Sequence, residues 1–252
     1  MEEELILWHF NNLTFHAKTL TMTWIVIAFM LIFCFLGVRH LTSGKPGKMQ
    51  NILEWIIDFV RKLISDNMSY EKGRPLLSYL VTLIMFIFFS NMLGLIPNIT
   101  FNLFEHFGVE AGQLNKIFEG PSLMSPTADV NTTIGLALLS ITLVLFLGIK
   151  HKGVNYFKHF FEPIPVFFPI HVIDLLSKPM TLAFRLFGNI FAGEVLIKVI
   201  LKMPESYGIW AFPAALPDTV WLAFSIFIGT IQAFVFTVLT TAYIGQAVTE
   251  SH

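Results

Sequence analysis

From Thr19 to Val38 the chain runs for about twenty residues without a charged side chain. At roughly 1.5 Å of rise per residue, a helix of that length matches the roughly 30 Å hydrocarbon core of a bilayer. Two more charge-free runs, Leu76–Ile96 and Val130–Ile149, are long enough to do the same; Pro97 follows the first, and Asp129 and Lys150 bracket the second. A fourth apolar stretch, Pro163–Lys202, is interrupted by ionisable residues, and a fifth, Thr219–Thr249, is free of charge throughout. Few architectures accommodate five such segments in one chain of 252 residues. The expected fold class is all-α: a polytopic membrane protein with about five membrane helices and one single membrane domain, residues 1–252. The spans fall near 19–38, 76–96, 130–149, 163–202 and 217–248.

Composition points the same way. The chain is 55% hydrophobic with 27 Phe and only 13% charged residues, about half the charged share of a soluble protein, so a water-facing surface cannot be built from it. A net charge of -1 leaves no basic excess for nucleic acid. Cys34 is the single cysteine; alone it makes neither a disulfide nor a metal site, and it reads as a small core hydrophobe. No metal and no cofactor are expected. The opening MEEELILWHF is acidic where a secretory leader is basic and shows no small-residue cleavage site, so it is expected to be retained.

Between the first two spans, Met49, Ile52, Leu53, Ile56, Val60, Leu63 and Ile64 recur at helical spacing opposite Glu54, Asp58, Arg61 and Lys62. This predicts an amphipathic helix over about 48–70, lying along the membrane surface or bridging to a soluble partner. Lysine and arginine set the orientation. Arg39–Pro75 carries seven and Lys150–Glu162 three, whereas Pro97–Asp129 has only Lys116. The rich segments belong inside, which places the N-terminus outside and the C-terminus in the cytoplasm.

The last ninety or so residues differ in kind. The fourth stretch carries Asp174, Lys178, Arg185, Glu194 and Lys198, a density that lipid does not tolerate on an exposed face. The fifth, about 46 Å long as a helix, must tilt or extend beyond the bilayer. Joined through the Pro- and Gly-bearing stretch Met203–Asp218, the two are expected to form an oversized slanted hairpin. At 100° per residue, Asp174, Lys178, Thr181 and Asn189 fall within about 40° of Arg185, whereas Glu194 lies about 180° away and roughly 14 Å further on. Two polar faces at different depths result, with the arginine between them, an arrangement suited to two wet routes that do not meet. Asp174 can pair with Lys178 and Glu194 with Lys198 at i, i+4, which leaves Arg185 over. A guanidinium stays protonated, so an anion from elsewhere should meet it.

On the fifth helix Ser225, Gly229, Gln232 and Tyr243 share a face, and Gln232 can reach a guanidinium; Thr230, Thr237, Thr240 and Thr241 read as packing residues. His171, one turn before Asp174, reads as an interfacial hydrogen-bonding residue or a proton relay. Asn91 and Asp129 are candidates for an outer vestibule, with a helix N-cap the plainer reading of Asp129. A secondary transporter would place midplane charge in both halves as repeats, which is not seen here. A passive ion channel would conduct as the purified chain alone. An intramembrane enzyme would need a clustered nucleophile or carboxylate site.

At Ser177–Pro179 and Arg185–Glu194 (RLFGNIFAGE) the chain resembles the subunit a family of bacterial F-type ATP synthases. The stretches Ile231–Phe236 (IQAFVF), Ser125–Asn131 (SPTADVN) and Asn91–Pro97 (NMLGLIP) extend the resemblance over most of the chain from the second span onward. It implies a non-catalytic proton-translocating stator in the bacterial cell membrane. Its partners would be a rotating c-ring, the subunit b peripheral stalk and lipid. Arg185 would face a c-subunit carboxylate. Asn189, Glu194 and Gln232 would line the outward half-channel, with Ser225 where some members carry a titratable group. Asp174, Lys178 and His171 would lie toward the inner half-channel. No Walker A loop, dinucleotide glycine pattern or catalytic triad occurs, so ATP chemistry is expected in other subunits.

Overall fold

A computed structural model describes residues 7–10, 13–42, 44–95, 125–153, 156, 168–207 and 211–249, with backbone alone for 7–10, 13–15, 17–18, 197–207 and 211–218. It is helical apart from a short antiparallel hairpin, β1 (Leu7–Phe10) with β2 (Leu13–His16), in which Leu7 lies opposite His16. The helices are α1 (Ala17–Val38), α2 (Lys48–Asn67), α3 (Tyr70–Gly73), α4 (Leu77–Leu93), α5 (Val130–Lys152), α6 (Phe168–Tyr207) and α7 (Ala211–Val248). Among the described residues four segments are long and apolar enough to cross a membrane: Thr19–Val38, Tyr70–Leu93, Val130–Lys152 and Thr219–Val248. The remaining long helix, α6, carries the charges and is 40 residues long, about 60 Å at helical rise and twice a bilayer core. Within the apolar helices several hydroxyl groups are satisfied by their own helix. Thr23, Thr230, Thr237 and Thr241 each donate to the carbonyl four residues earlier, so a polar side chain costs little in lipid or in a core.

Two boundaries differ from the sequence expectation. The amphipathic helix ends at Asn67 rather than near residue 70, because Met68 is extended and Ser69 opens the short α3, which leads through a 3-10 turn, Arg74–Leu76, into α4. The Pro-bearing stretch 203–218 is largely helical rather than a linker: α6 runs to Tyr207 and α7 begins at Ala211, with residues 208–210 outside the described set. Pro213 falls within the first four residues of α7, whose N–H groups have no helical partner in any case, so its missing donor costs nothing there.

The chain clusters into two compact units. One comprises Met1–Leu31, Phe86–Asp129 and Phe187–Ile231; its buried positions include Met22, Val26 and Ile87, but also Ser90, Asn91, Ser125, Thr127 and Glu194. The other comprises Ile32–Met85, Val130–Leu186 and Gln232–His252, with a more apolar core of Val60, Ile64, Leu80, Ala137, Leu182, Leu186, Phe236 and Ile244. In this second unit Leu53, Val60 and Ile64 of α2 are buried as its periodicity requires, whereas Met49, Ile52 and Trp55 stay uncovered. Along α1, Trp24, Leu31 and Phe35 are each more than 60% exposed, which water would penalise and lipid would not.

Candidate functional site

In the first unit, α4, α6 and α7 line a partly open cavity of about 190 Å³, room for several water molecules at roughly 10–15 Å³ each. Its polar lining comes from Asn91, Asn189, Glu194 and Ser225, and its apolar lining includes Leu95, Ile190, Trp221, Phe224 and Ile228. Helical spacing explains the lining. Asn189 and Gly193 are four apart on α6, and Trp221, Ser225 and Ile228 stand at four and three on α7.

Glu194 is buried, and Oε1 of its carboxyl accepts a 2.8 Å hydrogen bond from the Ser125 N–H. Ser225 Oγ is enclosed with no hydrogen-bond partner among the described residues, which leaves a hydroxyl on the cavity wall ready for water. The Asn91 amide is held at both ends: Oδ1 accepts from Thr127 Oγ1 at 2.6 Å, and Nδ2 donates to the Gly229 carbonyl at 2.8 Å. The Trp221 indole N–H donates to the Gly193 carbonyl at 3.3 Å, tying α7 to α6 beside Glu194. Asp129 is half-buried and extended immediately before α5, and it accepts from Thr19 Oγ1 at 2.7 Å. Thus Asn91, Asn189, Glu194 and Ser225 are brought to one cavity, and Asp129 is engaged with α1.

The second unit holds the remaining candidates. Lys178 pairs with Asp174 at 2.9 Å and lies over the Tyr243 ring, 5.4 Å from its centroid, so these three form one cluster. Both ends of the ion pair reach solvent, so it contributes little to stability by itself. His171 is half-buried and engaged, and Gln232 is buried. Arg185 is exposed, and among the described residues the ion pairs are Asp58–Arg61 and Asp174–Lys178, so the guanidinium belongs to neither. The expected Glu194–Lys198 pair rests on a lysine side chain outside the described set.

Sequence reasoning did not single out Ser90, Gly94, Ser125, Thr127 or Trp221. Ser125 and Thr127 stand in the SPTADVN motif beside Asp129, but their partners lie 35 to 69 positions away in the chain. Gly94 is needed where it is: a Cβ there would come within 2.8 Å of Glu194 Oε1.

A helical, multi-pass membrane protein is thereby defined, with a buried carboxyl beside a mainly apolar cavity that carries a few polar side chains and, on the same long helix, an arginine that no described acid neutralises. Residues 20–245 match the family described as ATP synthase A chain. The chain is 38% identical over 240 residues to ATP synthase subunit a of Desulforamulus reducens, covering 95% of this chain and 82% of that one. It is 39% identical over 252 residues to its counterpart in Bacillus pumilus and 37% over 254 residues to that of Bacillus subtilis, with 96% of each chain covered in both comparisons. The chain belongs to the ATP synthase A chain family.

Proposed function

We propose that this chain is the static membrane subunit of an F-type ATP synthase, providing two offset half-channels through which protons reach and leave carboxylates on a rotating c-ring. Membership of the ATP synthase A chain family supports the broader part of this reading, a membrane-sector subunit engaged in proton transport and ATP synthesis. The observation that carries the finer part is the contrast along α6. Glu194 is buried beside a cavity whose wall also carries Asn91, Asn189 and Ser225, whereas Arg185, nine residues earlier, is exposed and belongs to no ion pair among the described residues.

A permanent cation on a membrane helix is costly unless an anion meets it, and a carboxylate on a neighbouring subunit supplies that anion. Protons enter from outside past Asn91, Asn189, Glu194, Ser225 and Gln232, with Asp129 in the vestibule, and neutralise a ring carboxylate. Once neutral, that group can turn into lipid, where its charged form would be expensive. At the inner half-channel, bordered by His171, Asp174, Lys178 and Tyr243, the acid gives its proton to water. The positive field of Arg185 favours the charged form and blocks a direct leak. The driving energy is about 2.3 kcal/mol per charge per 100 mV, plus the pH gradient. No bond is made or broken in this chain. The N-terminus lies outside and the C-terminus in the cytoplasm, and subunit b of the peripheral stalk holds the chain against the torque.

Arg185→Ala in vesicles carrying the intact complex tests the assignment. Loss of ATP-driven proton pumping together with a passive leak is expected; undiminished pumping would overturn it.

A further inference from the structure

The segment Ser125–Ala128 is buried at every position, although it carries no charge and only two hydroxyls. Ser125 is extended (φ -58°, ψ 129°) and opens a 3-10 turn over Pro126–Ala128, closed by the Ala128 N–H on the Ser125 carbonyl at 2.9 Å. The first N–H groups of a helical turn have no partner within it, and Pro126 brings none, so the Ser125 N–H is left to point outward. It donates to Glu194 Oε1 at 2.8 Å.

The hydroxyls anchor the turn. Ser125 Oγ donates to the Ser90 carbonyl at 2.7 Å and touches Thr127 Oγ1 at 2.6 Å, and Thr127 Oγ1 donates to Asn91 Oδ1 at 2.6 Å. Three short oxygen contacts thus share two hydroxyl hydrogens, so with Ser125 donating to Ser90 and Thr127 to Asn91 each outward bond depends on its own hydroxyl. Asn91 passes the linkage on to the Gly229 carbonyl. Two of the four polar side chains on the cavity wall, Glu194 and Asn91, are therefore held by one buried turn that does not itself line the cavity.

We infer that Ser125–Ala128 is the positioning element of the entry route: Ser125 sets Glu194 through its N–H, and Thr127 sets Asn91 through its hydroxyl. This rests on the reading of Glu194 as the entry acid. Proton transfer falls steeply with misplacement, about a hundredfold for 1 Å, so a turn holding the acid governs the rate without touching a proton.

The test compares Thr127→Val, which keeps the shape and loses the hydroxyl, with Thr127→Ser, which keeps the hydroxyl and loses a methyl. Both are made in the intact complex in inverted membrane vesicles, with ATP-driven pumping normalised to the amount of assembled complex. Thr127→Val is expected to lower pumping roughly tenfold and Thr127→Ser to restore most of it. An equal fall in both, or a larger one in Thr127→Ser, would mean that packing alone matters and would overturn the inference. Ser125→Ala, which frees the turn from Ser90 while keeping the N–H to Glu194, is a second arm should Thr127→Val fail to assemble: a several-fold fall supports the inference, and normal pumping overturns it. Glu194→Gln separates the two levels. If it abolishes pumping while Thr127→Val pumps normally, the positioning role falls alone. If both pump normally, the assignment of Glu194 beneath it falls as well.

Discussion

Gly94→Ala is the sharpest structural test of the acid site. An added Cβ would sit 2.8 Å from Glu194 Oε1, 2.8 Å from Ser125 Cβ and 3.0 Å from Ser125 N. Carbon contacts normally settle near 3.5 Å, so the overlap is roughly half an ångström or more on three atoms at once. The carboxylate can swing aside, but Ser125 N and Cβ belong to a buried turn and cannot move freely. Relief therefore breaks the bond between Ser125 N and Glu194. Losing a hydrogen bond to an ionisable group costs about 1.5–3 kcal/mol and overpacking about 1–3 kcal/mol, so the substitution should cost about 2.5–6 kcal/mol. The assay is thermal dissociation of the detergent-solubilised complex, alongside ATP-driven pumping in vesicles. Gly135→Ala is the control. That glycine is exposed on α5 with nothing within 4 Å of its added Cβ, and it should gain about 0.5–1 kcal/mol from helix propensity. Identical behaviour of the two variants would refute the steric argument.

Two further outcomes concern the other unit. Gly245→Ala would place a Cβ 2.6 Å from the Asn67 carbonyl oxygen at the end of α2, so it should destabilise that contact by about 1–3 kcal/mol, read as a lowered melting temperature of the complex. Burial pushes the Tyr156 phenol above its ordinary value of about 10, and its ring lies against Gly148. Its packing contribution is then complete below pH 10 and is lost as pH rises from there through the higher folded value. Ultraviolet difference titration of wild type against Tyr156→Phe should show this phenol ionising later than free tyrosine; ionisation at or below the free value would count against the burial.

Span positions follow from the order of residues because the cost of a charge in hydrocarbon is paid residue by residue. Thr19–Val38 and Val130–Ile149 can be read without knowing any neighbour, and they lie within the helices Ala17–Val38 and Val130–Lys152. The i, i+4 spacing of Asp174 and Lys178, which closes at 2.9 Å, is likewise a matter of counting 100° steps. Prolines misled the reading of 203–218: Pro213, third in α7, removes a donor that had no acceptor, while Pro204 and Pro217 lie inside α6 and α7. What only the tertiary structure decided is which donors meet which acceptors. The Ser125 N–H finds Glu194 across 69 positions, Asn91 is clamped between Thr127 and Gly229, and Gly94 leaves room for both. Hydrogen bonds form only at close range between groups that packing brings together, and no local periodicity records a meeting between distant segments.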